Sequence, residues 1–123
     1  FYGCKNLNKI NISNKVVILE KGVFGGCENL NEITIPYGMI NIGDGAFEEC
    51  KSLREVSIPD SVASIGDYAF WNCQSLNQIT VWSNVTSIGY SAFDGCKNLT
   101  IRAFKGSYAE QYTLENDIPF EEI

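Results

Sequence analysis

The chain has 123 residues, of which 45% are hydrophobic and 20% are charged, and this balance is typical of one globular domain. A formal net charge of −6 and an isoelectric point near 4.5 argue against nucleic acid or an anionic membrane as a partner. The sequence contains no histidine, so Ser-His-Asp and Cys-His nucleophiles are excluded and the commonest zinc ligand is missing.

No stretch approaches the roughly 20 consecutive apolar residues of a transmembrane helix, so we expect no membrane insertion. The first residue is Phe1 rather than methionine, and no basic-then-apolar signal segment opens the chain. We therefore expect the chain to be an excised or processed piece of a longer protein.

One unit recurs every 23 residues, beginning with the step from Phe1 to Phe24. Phenylalanine, cysteine and leucine each hold one position in all five copies. These columns are Phe1, Phe24, Phe47, Phe70 and Phe93; Cys4, Cys27, Cys50, Cys73 and Cys96; and Leu7, Leu30, Leu53, Leu76 and Leu99. We predict a single domain over residues 1–123, with repeats that start near residues 1, 24, 47, 70 and 93.

Each unit begins with Phe, Cys and Leu at a spacing of three residues, which predicts one face of a short helical turn. An Ile-x-Ile pair follows, as at Ile33 and Ile35, and its alternation predicts a strand with one buried face. Pro36 and Pro59 end this strand in the second and third units, because proline has no N–H to donate to a β-ladder.

A Val-x-x-Ile-Gly segment closes the unit and predicts a second extended or 3₁₀ segment. Its glycines, Gly43, Gly66 and Gly89, are expected at a corner that requires either a positive φ or a close approach of backbone. One such unit buries too few apolar side chains to offset its own loss of conformational entropy. Successive units must therefore stack and continue one another's hydrogen-bond ladders, which predicts a solenoid.

The repeat register breaks after Leu99, and the remaining sequence predicts a C-terminal helical cap over about residues 100–123. Ser107 is placed to N-cap a helix that carries Tyr112 and ends near Asn116, with an extended segment beyond it. Such a cap covers the last open face of the core. The first unit has no comparable lid, so we expect either fraying there or end-to-end self-association through this uncapped N-terminus.

The stretch "IPDSVASIGDYAFWNCQSLNQITV", from Ile58 to Val81, resembles the 23-residue leucine-rich repeat of BspA-like bacterial surface proteins. The matching register extends from Phe1 to about Leu99, with Trp82 standing where the repeat usually has proline. The resemblance implies an α/β repeat fold, a right-handed leucine-rich-repeat solenoid with a concave parallel sheet and short helical turns on the other side. It also implies a secreted or cell-surface protein, active in adhesion, in binding host matrix proteins or in contact between cells.

The five cysteines share one position in their units, so we expect their side chains to point into the core as small buried hydrophobes. Parallel Cβ vectors make a poor geometry for a disulfide between neighbours. Zinc sites need cysteines close together in sequence, which a spacing of 23 residues does not offer. A thiol nucleophile has no candidate general base. We therefore predict a noncatalytic protein with no metal and no cofactor.

Two sets of residues form the candidate binding surface, one on the outward face of the sheet and one on the edge of the solenoid. The sheet set is Glu32, Thr34, Glu55, Ser57, Gln78, Thr80 and Trp82, and the edge set is Tyr68, Trp71 and Tyr90. Exposed aromatic clusters are favoured anchors at interfaces. The alternative to a binding role is that the sheet residues are simply solvated and that the aromatic rings only pack along the edge of the solenoid.

The sequence as a whole predicts a noncatalytic binding or adhesion module of a secreted or cell-surface bacterial protein. Its partner is a protein or glycan ligand, and the resemblance implies a host matrix or cell-surface protein. The alternative function is a structural spacer or stalk within a larger multidomain surface protein.

Overall fold

The computed structural model describes all 123 residues as a stack of coils, each with one longer and one shorter strand. The longer strands are β1 (Lys9–Asn11), β3 (Glu32–Thr34), β5 (Glu55–Ser57), β7 (Gln78–Thr80) and β9 (Thr100–Ala103). The shorter strands are β2 (Ile18–Leu19), β4 (Asn41–Ile42), β6 (Ser64–Ile65) and β8 (Ser87–Ile88). This arrangement confirms the solenoid.

The strands pair in parallel, and equivalent residues of successive units lie side by side. Ile10 pairs with Ile33 in the longer strands, and Ile42 pairs with Ile65 in the shorter ones. The shorter strands form one continuous sheet in the order β2-β4-β6-β8. Of the two conformations expected for the Val-x-x-Ile-Gly segment, the extended one is therefore correct.

The longer strands form two ladders, β1-β3 and β10-β9-β7-β5, where β10 is Phe120–Glu122. Strands β3 and β5 are neighbours in the stack but do not share a ladder. A polar groove of about 490 Å³ lies at this junction, with Glu32 and Arg54 in its lining. The sheet of shorter strands and the core both continue across this junction.

The Phe-Cys-Leu segment forms single hydrogen-bonded turns rather than a regular helix. In the second unit, the Cys27 N–H donates to the Phe24 carbonyl at 3.2 Å and the Leu30 N–H donates to the Cys27 carbonyl at 3.0 Å. The Phe24 N–H instead donates to Ala46 of the next coil, at 2.9 Å. Because alternate N–H groups bond to the neighbouring coil, the turns cannot extend into a helix.

The core is one continuous cluster of 31 buried residues that runs the length of the stack. Its most regular feature is the phenylalanine column, in which ring centroids of neighbouring coils are 5.2 to 5.7 Å apart. The column ends where the Tyr112 ring meets Phe93 edge-on at 6.1 Å. Offset stacks and edge-on contacts at these separations are favourable arrangements for aromatic rings.

The C-terminal segment closes the core as predicted, although its first four residues still belong to the sheet. Strand β9 pairs Thr100 with Gln78, a step of 22 residues, before the chain reaches helix α1 (Tyr108–Glu115). The Ser107 side chain accepts a hydrogen bond from the Glu110 N–H, and Asn116 is the C-cap. Ala109 and Tyr112 are buried, whereas Leu114 is 69% exposed. This helix of eight residues is too short to cross a lipid bilayer.

Candidate functional site

The cysteine column lies inside the solenoid, and all five thiols are free. Cys27, Cys50 and Cys73 are fully buried, while Cys4 and Cys96 at the two ends are half-buried. Each thiol after the first is a donor to a phenylalanine carbonyl of the preceding coil. The four distances are 3.3 Å for Cys27 to Phe1, 3.2 Å for Cys50 to Phe24, 3.1 Å for Cys73 to Phe47 and 3.1 Å for Cys96 to Phe70.

These thiols have a structural role, which confirms the prediction that they fill the core. Burial raises the pKa of Cys27 above its ordinary value and raises the pKa of Cys50 to about 12. The contact with Cys96, together with burial, raises the pKa of Cys73 well above its ordinary value. A protonated thiol is a weak nucleophile and a poor metal ligand. The structure groups no three metal-ligating side chains at one place.

The glycines at the corner of each coil are required by a close approach of backbone, which decides between the two reasons expected for them. Gly43, Gly66 and Gly89 do not have a positive φ. A Cβ on Gly66 would lie 2.6 Å from the Asp44 nitrogen and would also collide with the Asp44 carboxylate. Asp44 Oδ1 accepts the N–H of Asp67 at 2.8 Å, and Asp67 Oδ1 accepts the N–H of Tyr90 at 2.7 Å. These bonds fix both carboxylates along one edge of the solenoid.

The outward face of the long-strand sheet is polar and shallow. Glu55 pairs with Gln78 and Ser57 pairs with Thr80, and these four line a groove of about 170 Å³. Polar neighbours already contact two of the predicted residues. The Glu32 carboxylate lies 3.3 Å from Lys9 Nζ, and Gln78 Nε2 donates to Glu121 at 3.5 Å. Thr34 is exposed beside Asn11. A binding role for these residues stays a prediction.

Trp82 lies at the end of this face and is held in place by its indole group. The indole N–H donates to the Ile58 carbonyl at 2.8 Å, and the ring lies 6.0 Å from that of Phe104. Trp82 and Tyr37 line a groove of about 230 Å³ that also includes Asp60. Tyr37 was not among the predicted residues; it is 78% exposed and follows the strand, outside the outward-facing columns of the sheet.

The three predicted edge aromatics are brought together in one cluster, which we call the aromatic edge (Tyr68, Trp71 and Tyr90). Tyr68 packs edge-on against Trp71 at 6.4 Å and against Tyr90 at 5.8 Å between ring centroids. All three remain accessible, with exposed fractions of 40%, 36% and 73% for Tyr68, Trp71 and Tyr90. The cluster crosses two neighbouring coils, so the repeat places side chains together that are 22 residues apart in sequence.

Tyr68 adopts a left-handed backbone conformation, with a φ of 57°. The equivalent positions one and two coils earlier are glycines, Gly45 with a φ of 62° and Gly22 with a φ of 66°. The fold imposes this conformation because it directs the N–H toward the next coil. The Tyr68 N–H donates to the Tyr90 carbonyl at 2.9 Å, as the Gly45 N–H does to Asp67 at 2.8 Å. Glycine adopts a positive φ freely, whereas an L side chain costs about 1–2 kcal/mol there.

An acidic groove adjoins the aromatic edge. It has a volume of about 360 Å³, and its lining includes Asp44, Glu48, Asp67 and Tyr68 together with Lys21. This groove was not predicted from the sequence, since Asp44 and Glu48 come from one coil and Asp67 comes from the next. The 23-residue step between Asp44 and Asp67 is the only signal in the sequence that brings them together.

Comparison with known proteins identifies the repeat. The family model described as "BspA type Leucine rich repeat region (6 copies)" matches residues 1–118. No curated protein matches the chain. A leucine-rich repeat protein from Bacteroides ovatus ATCC 8483 is 35% identical with a TM-score of 0.88, and the match covers 100% of this chain and 32% of that one.

Two further solved structures are similar. The T. pallidum leucine-rich repeat protein is 34% identical with a TM-score of 0.81, covering 83% of this chain and 48% of that protein. A leucine-rich cell surface protein from Faecalibacterium prausnitzii A2-165 is 25% identical with a TM-score of 0.69, covering 85% of this chain and 34% of that protein. The chain thus spans between about a third and a half of the length of these structures.

Proposed function

This chain belongs to the BspA-type leucine-rich repeat family, and from that premise we propose that it is a noncatalytic binding module whose recognition surface is the aromatic edge. The observation that carries the proposal is Tyr68. A bulky side chain stands there in a left-handed conformation that glycine adopts in the two earlier coils and that the much smaller Ser91 adopts in the next coil, with a φ of 53°. Strained residues of this kind are concentrated at functional sites, where the side chain is kept despite its cost to stability.

The aromatic edge has the properties of an interface anchor. Its three rings are exposed, Tyr68 packs against the other two, and the backbone of each residue is hydrogen-bonded to a neighbouring coil. Aromatic rings with few rotatable bonds lose little conformational entropy on binding, so such a cluster favours capture of a protein partner. The solenoid interior is filled with side chains, which favours display of a surface over catalysis in a cavity.

We place the module in a secreted or cell-surface protein, with a host matrix or cell-surface protein as its partner. Support comes from the Faecalibacterium relative, whose description is that of a cell surface protein. The competing function is a spacer that carries no recognition surface of its own.

The amount of protein that wild type and variants capture distinguishes the binding module from the spacer. The 123-residue chain is immobilised and exposed to extracellular-matrix and cell-surface protein fractions, and bound proteins are quantified by mass spectrometry. We expect Trp71→Ala to remove most of a specifically retained protein, because it deletes the largest ring of the edge. Leu114→Ala is the matched control, since Leu114 is an exposed apolar residue on the outer side of helix α1. Identical capture by wild type and both variants would support the spacer.

A further inference from the structure

We propose that the solenoid has a hinge between the coil that carries β3 and the coil that carries β5. Neighbouring coils are joined on three sides, by their longer strands, by their shorter strands and by their Phe-Cys-Leu turns. At this step the longer strands share no ladder, although the shorter strands β4 and β6 remain paired. A joint that is closed on two sides and open on the third bends by widening and narrowing at the open side.

Backbone hydrogen bonds locate the opening at Arg54. At the start of the longer strand in other coils, an N–H donates to the carbonyl one coil earlier. These bonds join Asn31 to Asn8, Asn77 to Arg54 and Thr100 to Asn77, each at 3.0 Å. The equivalent Arg54 N–H makes no hydrogen bond within the protein, and the Asn31 carbonyl accepts none. Both residues line the polar groove of about 490 Å³ between the two coils.

The other two sides stay bonded at the same step. Between the shorter strands, the Gly66 N–H donates to the Ile42 carbonyl at 2.8 Å. Between the turns, the Phe24 N–H donates to the Ala46 carbonyl at 2.9 Å. The two coils are therefore held together on these sides while the long-strand side has no hydrogen bond at Arg54 to keep it closed.

Like charges on the outward face account for the opening. Lys9, Glu32, Glu55 and Gln78 occupy equivalent positions on β1, β3, β5 and β7. Lys9 Nζ lies 3.3 Å from the Glu32 carboxylate where β1 pairs with β3, and Glu55 faces the neutral Gln78 where β5 pairs with β7. Only Glu32 and Glu55 place two negative charges on adjacent strands, which is destabilising. Arg54 forms no ion pair that would neutralise either carboxylate.

The inward face is also weakest at this step. The column of residues that points from the longer strands into the core is isoleucine in every coil except at Val56. Valine is one methylene group smaller than isoleucine, so it forms fewer apolar contacts with the neighbouring strand. Repulsion on the outward face and a smaller side chain on the inward face therefore coincide at one step of the stack.

The hinge divides the surfaces of the protein in a defined way. Glu32 and Thr34 of the candidate sheet surface lie on one side of it, and Glu55 and Ser57 lie on the other. The aromatic edge follows β6 in the chain and so lies entirely on the C-terminal side. Movement at the hinge changes the spacing across the sheet surface and leaves the aromatic edge intact.

Amide hydrogen exchange of the ¹⁵N-labelled chain, followed by NMR, tests the opening. After correction for intrinsic rates, we expect the Arg54 amide to exchange at least about tenfold faster than the Asn77 amide. Glu55→Lys replaces the repulsion with an attractive pair like that of Lys9 with Glu32, so it should slow Arg54 exchange at least about tenfold.

Glu20→Lys is the matched control, because it makes the same charge change at an exposed residue of the first coil that forms no ion pair. It should leave the Arg54 rate within about twofold of wild type. Melting temperatures verify that both variants are folded. Equal protection of Arg54 and Asn77 in wild type, or equal effects of the two variants, would overturn the proposal.

Residual dipolar couplings measure the movement itself, because collective hinge motions on the microsecond to millisecond timescale average them. In wild type we expect residues 1–46 and 47–123 to require separate alignment tensors of different magnitude. In Glu55→Lys one tensor should fit both parts. A single tensor that fits the whole wild-type chain would show that the joint is rigid and that the hinge is wrong.

Salt should act on wild type and on Glu55→Lys with opposite signs. Raising the ionic strength from about 0.01 M to about 1 M shortens the Debye length from about 30 Å to about 3 Å. Relative to Asn77, the Arg54 amide of wild type should then exchange at least about twofold more slowly, because the repulsion between Glu32 and Glu55 is screened. In Glu55→Lys the same salt weakens an attraction, so exchange should become faster. Responses of the same sign in both proteins would contradict the role of these charges.

Discussion

At position 68 a tyrosine occupies a backbone conformation that glycine adopts at the equivalent positions of two earlier coils. The repeat pattern alone could not reveal this, because periodicity identifies which residues point inward but carries no value of φ. The aromatic edge was expected from the unusual placement of Tyr68, Trp71 and Tyr90 outside the core columns. The acidic groove beside it was not expected from the sequence, since Asp44 and Asp67 fall in a column that has a different residue type in each flanking coil.

Cysteine reactivity is the clearest prediction for single residues. The buried thiols have raised pKa values, so we expect folded protein at pH 8 to react slowly with a thiol reagent at Cys27, Cys50 and Cys73. Cys4 and Cys96 should react first, because both lie half-buried at the ends of the stack and the contact with Cys73 lowers the pKa of Cys96. Mass spectrometry of peptides after timed labelling measures the order. Rapid modification of Cys50 in folded protein would contradict its structural role.

Alkaline pH should destabilise the fold through buried groups that must ionise on unfolding. Burial and the nearby Asp94 carboxylate raise the pKa of Tyr112 from 10.0 to about 12, and burial raises that of Cys50 from 9.0 to about 12. Both groups hold their proton more tightly when folded, so their contribution is complete below pH 9 and is lost as pH rises from there through about 12. Urea midpoints measured from pH 8 to 11.5 test this.

A comparison of two tyrosine sites controls the pH experiment. Tyr112→Phe should reduce the loss of stability above pH 10, because it removes a buried group that titrates there. Tyr37→Phe is the matched control, because it makes the same chemical change at a tyrosine that is 78% exposed. Equal slopes for Tyr112→Phe and wild type would show that Tyr112 does not titrate in this way.

At the scale of elements, the sequence predicted the strands, the cap and the stacking, because each depends on the order of apolar and polar residues. Ile33 and Ile35 marked a strand, and Ser107 marked the start of helix α1. The sequence predicted the conformation of the Phe-Cys-Leu turns less well. A spacing of three residues fits both a helical turn and a β-turn, and only the bonds to the next coil, such as Phe24 to Ala46, decide between them.

The corner glycines make the spacing between coils testable. Gly66→Ala should lower the free energy of unfolding by about 2–3 kcal/mol, because a Cβ there meets the backbone of Asp44 and cannot be accommodated by a side-chain movement. Gly38→Ala is the comparison, since Gly38 has open space around it and its substitution is penalised only through its φ of +93°. We expect a cost of about 1 kcal/mol for that change. Urea denaturation of both variants measures the difference, and a larger cost at Gly38 would be inconsistent with close packing at the corner.

At the scale of the whole molecule, the end of the stack near Phe1 exposes apolar surface. A groove of about 320 Å³ there has Ile10, Ile12, Val16 and Phe24 in its lining. We predict that the 123-residue chain self-associates end to end through this groove, because a second copy offers both apolar side chains and strand edges. Sedimentation at increasing concentration tests this, and Ile18→Thr should weaken the association, since Ile18 is 47% exposed on β2.

A monomer at every concentration, with slowly exchanging amides in the first coil, would count against self-association. Rapid exchange confined to residues 1–20 in a monomer would instead show that the first coil frays. Both outcomes leave the aromatic edge unaffected, because Tyr68 and Tyr90 lie in later coils.

The most direct measurement is a pair of values for Tyr68→Gly, the melting temperature and the capture of the protein partner. Glycine relieves about 1–2 kcal/mol of backbone strain, which offsets the lost ring contacts of about 0.5–1.5 kcal/mol and the added flexibility of the unfolded chain. We predict a melting temperature within about 4 °C of wild type together with at least about tenfold weaker capture. A fall in melting temperature of more than about 8 °C with undiminished capture would show that Tyr68 serves the fold and that the aromatic edge is not the recognition surface.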